Sequence, residues 1–253
     1  MVDIDKAVRE LMDELALPPA VCAVNKKIGP ADVAGRLEHS LLTAELTIEE
    51  LRVQCRMARD FRIAAVCVAP YYVAEAASML TGSNVIICAA VGFPGSLISA
   101  RAKETDVRAC VTLGAREIDL AVNISAVKSG DIARAEKDFF GAAQATGGKA
   151  AVKAVFEHGS FDEREKTAVL EMIGRSGVPF IKIQNMTSGH GARAEDIRFV
   201  RDVLGGKIMI KIDGGVKTLE QAMELFRAGA DRIGLTATKT VAAEAAKELR
   251  RFN

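Results

Sequence analysis

The sequence predicts a (β/α)8 TIM barrel carrying an N-terminal helical extension. Three observations lead there. Short apolar runs alternate with amphipathic stretches of about 10–15 residues, a pattern of βαβ units and a parallel sheet. Eight such units closed into a barrel need about 250 residues, and the chain has 253. No strand-linked Gly-x-Gly-x-x-Gly is present, which argues against an open dinucleotide-binding sheet.

The elements follow in order. Residues 3–16 place Ile4, Ala7, Val8, Leu11 and Leu15 at helical spacing, and Pro18-Pro19 stops that helix. Residues 20–35 look irregular, so 1–35 is expected to be an extension outside the barrel and 36–253 the barrel itself. The first strand is expected at 36–42. A helix over 48–59 follows, with Thr47 and Glu50 as a capping box. Strands at 64–68 and 85–91 flank a short helix at 73–80. A helix at 99–113 ends at Gly114. The fourth strand, 117–122, precedes a helix at 131–145. The fifth, 149–157, precedes one at 162–176. The sixth, 178–183, is followed by a helix at 194–204. The seventh, 207–212, is followed by one at 218–228. The eighth covers 232–235, and a last helix runs to about residue 250.

Composition excludes several function classes. Hydrophobic residues make up 49% and charged residues 26% of the chain, and 34 basic against 33 acidic side chains leave a net charge of +1. That balance offers no electrostatic footprint for nucleic acid or an anionic membrane. No apolar run approaches the roughly 20 residues of a membrane span. The first residues lack a signal-peptide core, so a cytoplasmic protein is expected. The five cysteines form no Cys-x-x-Cys pair and are expected to be reduced and structural. The three histidines show no zinc spacing. No metal or cofactor is expected.

The candidate chemistry sits at the C-terminal strand ends, where barrel active sites lie. Glu38, Asp119, Glu157, Lys182, Lys211 and Asp213 are the polar residues there. Lys182 and Lys211 each occur within an apolar strand, which is costly for an unpaired ammonium. One such lysine commonly snorkels or pairs with a carboxylate. Two on neighbouring strands suggest mutual depression of their pKa values, and a neutral lysine is a nucleophile toward carbonyls. Asp119, flanked by Ile118 and Leu120, is either a buried partner for a lysine or a proton relay beside the nucleophile. Lys153 and Glu157 share one strand face, and an ion pair between them is expected.

From about Arg36 to Thr240 the chain resembles deoxyribose-phosphate aldolase. The resemblance rests on LEHSLL, VCVAPYYV, VGFPGS, GAREIDLAVNISAVKSGD, VKAVFE, FIKIQN, KIDGGVKT and GADRIG, in that order. It implies a class I, Schiff-base-forming aldolase on a (β/α)8 barrel. Lys182 would form the imine, Lys211 would lower its pKa, and Asp119 would move protons through a water. Glu38, Cys67, Gly214, Gly215, Lys217 and Thr236 would contact the substrate, an aldehyde or sugar phosphate. A homo-oligomer is expected.

Three segments depart from the family pattern. Ile183-Gln184-Asn185-Met186 replaces the usual Thr-Ser-Thr-Gly, so Met186 stands where a glycine would let backbone approach a phosphate. Asp213 precedes Gly214-Gly215, where the family has a small neutral residue. Gly234-Leu235-Thr236-Ala237 replaces Gly-Thr-Ser-Ser. At short range a carboxylate repels a phosphate, so Asp213 is expected either to oppose a phosphorylated tail or to turn aside onto Lys217 or Arg193.

Overall fold

The computed structural model describes residues 28–185 and 191–252. The expected helix at 3–16 and Met186 lie outside the described residues. Eight parallel strands close into a barrel in sequence order. They are β1 (Leu37–Leu41), β2 (Ala65–Val68), β3 (Ile86–Val91), β4 (Glu117–Ala121), β5 (Ala151–Glu157), β6 (Phe180–Gln184), β7 (Met209–Asp213) and β8 (Arg232–Leu235). β8 closes on β1 through Leu37 opposite Ile233 and His39 opposite Leu235.

The surrounding helices are α1 (Pro30–Val33), α2 (Ile48–Asp60), α3 (Val73–Leu80), α4 (Ala100–Thr112), α5 (Ile124–Lys128), α6 (Ile132–Gln144), α7 (Glu163–Ser176), α8 (Ala194–Leu204), α9 (Leu219–Arg227) and α10 (Thr238–Phe252). Local chemistry fixes their ends. At α2 the Glu50 amide donates to Thr47 Oγ1 at 3.2 Å, and the Thr47 amide donates to Glu50 Oε2 at 2.8 Å. Gly177 ends α7 in the left-handed region at φ 70°.

Two elements differ from the sequence reading. Residues 30–35 are not irregular, and Arg36 precedes the first strand: Pro30 begins α1 with its φ already helical, Gly29 N donates to Asp32 Oδ2 at 3.0 Å, and a 3-10 turn follows over Ala34–Arg36. Helix α5 was not expected. Its five residues are too few for apolar periodicity to show, and it depends on Asn123, whose side chain accepts from Ala126 N at 3.0 Å.

Side-chain parity divides the strands. Outward residues such as Leu37, Val66, Ile87, Ile118, Ile181, Ile210 and Ile233 join the helices in one buried apolar core. That layer carries the hydrophobic driving force. The inward residues include the buried charges, among them Glu38, Asp119, Lys153, Lys182 and Lys211, beside smaller side chains such as Cys67, Cys88 and Ala90. Among the described residues no helix is long and apolar enough to cross a membrane.

Candidate active site

Barrel interiors are usually filled by branched aliphatic side chains. Here four carboxylates (Glu38, Glu117, Asp119 and Asp213) face four cations (Lys153, Lys182, Lys211 and Arg232) inside the barrel. Burying charges is tolerable only where they are paired, and each of these side chains has an opposite charge within 4 Å.

Strand register builds the centre. Lys182 of β6 lies opposite Lys211 of β7, so two neighbouring strands present lysines at one level. Across the barrel Asp119 of β4 receives both: its Oδ2 is 3.0 Å from Lys182 Nζ and 2.8 Å from Lys211 Nζ. Lys211 also donates to Glu38 Oε2 at 2.7 Å. Lys153 bonds to Glu117 and reaches Asp119 Oδ1 at 3.4 Å. Cys88 and Cys67 donate to Asp119 at 3.1 and 3.5 Å. Arg232 approaches Glu38 and Glu117, each at 3.2 Å.

The three interior lysines are not equivalent. Lys153 and Lys211 donate directed hydrogen bonds to carboxylates. Lys182 is fully buried and meets Asp119 and Asp213 at ion-pair distance, yet its Nζ makes no aligned hydrogen bond among the described residues. It is therefore the lysine held by charge alone, with the Phe93 ring 5.9 Å away.

The electrostatics overturn the expected depression of Lys182. Burial pushes its ammonium pKa down and Lys211 does the same, but the carboxylates of Asp119 and Asp213 outweigh both and raise it above the ordinary lysine value. Lys211 is likewise raised, because Asp119, Asp213 and Glu38 outweigh burial. Asp119, opposed by burial but surrounded by Lys182, Lys211 and Lys153, is held well below the usual carboxylate range. Glu38 falls to about 2 as Lys153, Lys211 and Arg232 overcome its burial. The resting site is thus ion-paired. The mutual repulsion of the lysines is real, but it is the smaller effect.

Asp213 does not turn aside onto Lys217 or Arg193. Its Oδ2 is 2.7 Å from Lys182 Nζ and its Oδ1 is 3.8 Å from Lys211 Nζ. It points into the barrel, away from Lys217 and Arg193, because residues 211 and 213 share a strand face. Gly234 makes this possible. It lies opposite Asp213 in register, and a Cβ built there would stand 1.5 Å from Asp213 Oδ1. The expected Lys153–Glu157 pair is also absent. Four residues along a strand span about 13 Å, so Lys153 bonds across strands instead, while Glu157 accepts from Gln184 Nε2 at 2.8 Å.

The remaining candidates stand apart from this cluster. Gly214 and Gly215 continue from β7 with φ of 116° and 75°, and Ala192 N donates to Gly214 O at 2.9 Å. They border a cavity of about 250 Å³ that Arg193, Glu195 and Glu224 also line. The side chains of Lys217 and Thr236 are exposed. Sequence reasoning missed Glu117, Cys88, Arg232 and Gly234. Parity could have found the first, since Glu117 and Asp119 are two apart and must share a face. The sulfur and oxygen donors of Cys67, Cys88 and Asp119 lie within 4.8 Å of one another, but three ammonium groups already surround Asp119, which makes the place unfavourable for a cation.

A parallel barrel whose C-terminal mouth converges on an amine and carboxylates defines a barrel enzyme equipped for carbonyl chemistry. The comparisons narrow that class. Residues 145–252, from just before β5 through α10, match the family model described as "Histidine biosynthesis protein". Over 217 residues the chain is 34% identical to a deoxyribose-phosphate aldolase of Bacillus cereus (strain AH187), covering 86% of this chain and 97% of that one. Among solved structures, "QR15, an Aldolase" superposes with a TM-score of 0.83 at 29% identity, covering 88% of this chain and 99% of the other. The fold is also that of a deoxyribose phosphate aldolase from Aeropyrum pernix, described as a unique tetramer (TM-score 0.79, 22% identity, 88% and 94% covered). The chain belongs to the deoxyribose-phosphate aldolase family, a family of lyases.

Proposed function

We propose that the protein is a class I aldolase that reversibly cleaves 2-deoxyribose 5-phosphate to glyceraldehyde 3-phosphate and acetaldehyde. The observation that carries this reading is Lys182, buried at the barrel centre and held by Asp119 at 3.0 Å and Asp213 at 2.7 Å without an aligned hydrogen bond. Lys182 gives up a proton, attacks the carbonyl and forms an iminium, which draws electrons from the carbon–carbon bond being broken. Asp119, with a water, moves protons at the substrate. Lys211 keeps Asp119 ionised and lowers the cost of deprotonating Lys182. Glu38 and Cys67 hold that pair from beneath. The phosphate is assigned to the backbone of Gly214-Gly215, with Lys217 and Thr236 at its rim.

Asp213 is ion-paired with Lys182 at 2.7 Å, which partly neutralises its charge and so weakens the short-range objection to a phosphate at Gly214-Gly215. A second reading keeps support from another observation: among the described residues, Glu195 and Glu224 line the adjoining cavity against one cation, Arg193. On that reading the enzyme is a related imine-forming aldolase acting on an unphosphorylated aldehyde. We further propose a cytoplasmic homo-oligomer, in line with the tetramer described for the Aeropyrum pernix aldolase.

Two measurements test the proposal. Acetaldehyde with borohydride should leave a reduced adduct on Lys182, seen by mass spectrometry, and an adduct on another lysine refutes the assignment. Cleavage of 2-deoxyribose with and without its 5-phosphate decides between the substrates. A clear preference for the unphosphorylated sugar refutes the first reading.

A further inference from the structure

Asp119 and Asp213 both touch the Lys182 ammonium, but their remaining bonds differ. Asp119 is saturated. Its Oδ2 is shared by Lys182, Lys211 and Cys67, and its Oδ1 by Cys88 and Lys153. A proton placed on Asp119 would weaken its pairing with three cations together. Asp213 is only 9% exposed, and while its Oδ2 lies against Lys182, its buried Oδ1 has no hydrogen-bond partner among the described residues. Its one other ion-pair neighbour among the described residues is Lys211, at 3.8 Å. Protonating Asp213 therefore sacrifices one close ion pair. A buried carboxylate oxygen without a partner is costly, and the chain makes room for it by having Gly234 opposite.

We propose that Asp213 is a second catalytic residue, the carboxylate that carries protons between the Lys182 nitrogen and the substrate oxygen during imine formation. The inference rests on the reading of Lys182 as the imine-forming amine. The steps balance. Asp213 takes a proton from the ammonium, and the freed lone pair forms the carbon–nitrogen bond as the carbonyl electrons move to oxygen. Asp213 returns that proton to the oxygen, giving a carbinolamine. It then takes a second proton from nitrogen and delivers it to the hydroxyl, which leaves as water as the nitrogen lone pair forms the iminium. Asp213 ends ionised beside a cation, as it began.

The groups facing Lys182 are Asp119 from β4, Asp213 and Lys211 from β7, Cys67 from β2, and the Phe93 ring from the loop after β3. If Asp213 served only as a counter-ion, removing it would free more neutral amine, and Lys182 would react faster at neutral pH. Loss of a proton carrier acts in the opposite direction.

The experiment measures the rate of borohydride-trapped adduct formation on Lys182 with acetaldehyde, in the wild type, Asp213→Asn and Asp213→Ser. Both variants should trap about 10²-fold more slowly at neutral pH. Added formate should restore part of the rate to Asp213→Ser, whereas chloride at equal ionic strength should not. Rates equal to or above the wild type overturn the assignment, as does recovery with chloride alone. If either variant does not fold, the other decides. A wild type that forms no adduct on Lys182 overturns the imine chemistry itself and the proton carrier with it. An adduct in the wild type with unimpaired variants overturns only Asp213.

Discussion

The substitution Gly234→Ala probes how the barrel accommodates Asp213. A Cβ at position 234 would lie 1.5 Å from Asp213 Oδ1, 2.4 Å from its Cγ and 2.9 Å from Lys211 Cε. Side-chain carbons do not approach closer than 3.0 Å, so the carboxylate must retreat by roughly 1.5 Å. Such a displacement breaks the 2.7 Å contact with Lys182. Overpacking of this kind costs about 1–3 kcal/mol. The Gly234 backbone has no positive φ, so the penalty is one of space and not of conformation. Chemical denaturation should show that loss of stability, and kcat/KM for aldol cleavage should fall by about 10²-fold, the size expected for loss of a proton carrier. Combining Gly234→Ala with Asp213→Ala removes the two closest clashing atoms. The double variant should therefore be more stable than the two single effects predict, with a coupling of about 1–2 kcal/mol. A Gly234→Ala enzyme of wild-type stability and activity, or strictly additive variants, refutes this account of the site.

Two further outcomes follow from the electrostatics. Lys211→Leu removes the cation that lowers the Lys182 pKa, leaving Asp119 and Asp213 to hold the ammonium more tightly; activity at neutral pH should fall severely and partly recover as pH rises, whereas a loss equal at every pH would mean that Lys211 acts on the substrate. Glu38 drops from 4.5 to about 2 on folding, so its stabilisation is complete above about pH 4.5 and disappears as pH falls toward 2, amounting to about 3 kcal/mol across that window. A denaturation midpoint that stays flat from neutral pH down to 2 would contradict the buried network, and Glu38→Gln should make the acid dependence shallower, leaving the part carried by Asp119.

Much of this protein was legible in its sequence. Helix-period and strand-period runs, with caps such as Thr47-Glu50, place the elements of the barrel to within a few residues. Parity along a strand sets which residues turn inward, and so foretells that Lys182 and Lys211 lie side by side. The family motifs at Lys182, Lys211 and Asp119 marked the centre that the fold assembles. What the sequence alone left open is governed by distances through space. Glu38 and Lys211 are 173 residues apart yet hydrogen-bonded at 2.7 Å, and only barrel closure brings them together. Two lysines read along a strand suggest mutual depression of pKa, but the outcome depends on which carboxylates reach them from β1, β4 and β7. Lys153 looked paired with Glu157 on its own strand, although neighbouring strands are about 4.8 Å apart and four residues along one strand about 13 Å. Asp213 looked like an obstacle to phosphate, until the glycine opposite it on β8 gave its carboxylate a place beside Lys182. Periodicity and capping are local and are written in the chain order; the balance of charge in a closed barrel belongs to all eight strands together.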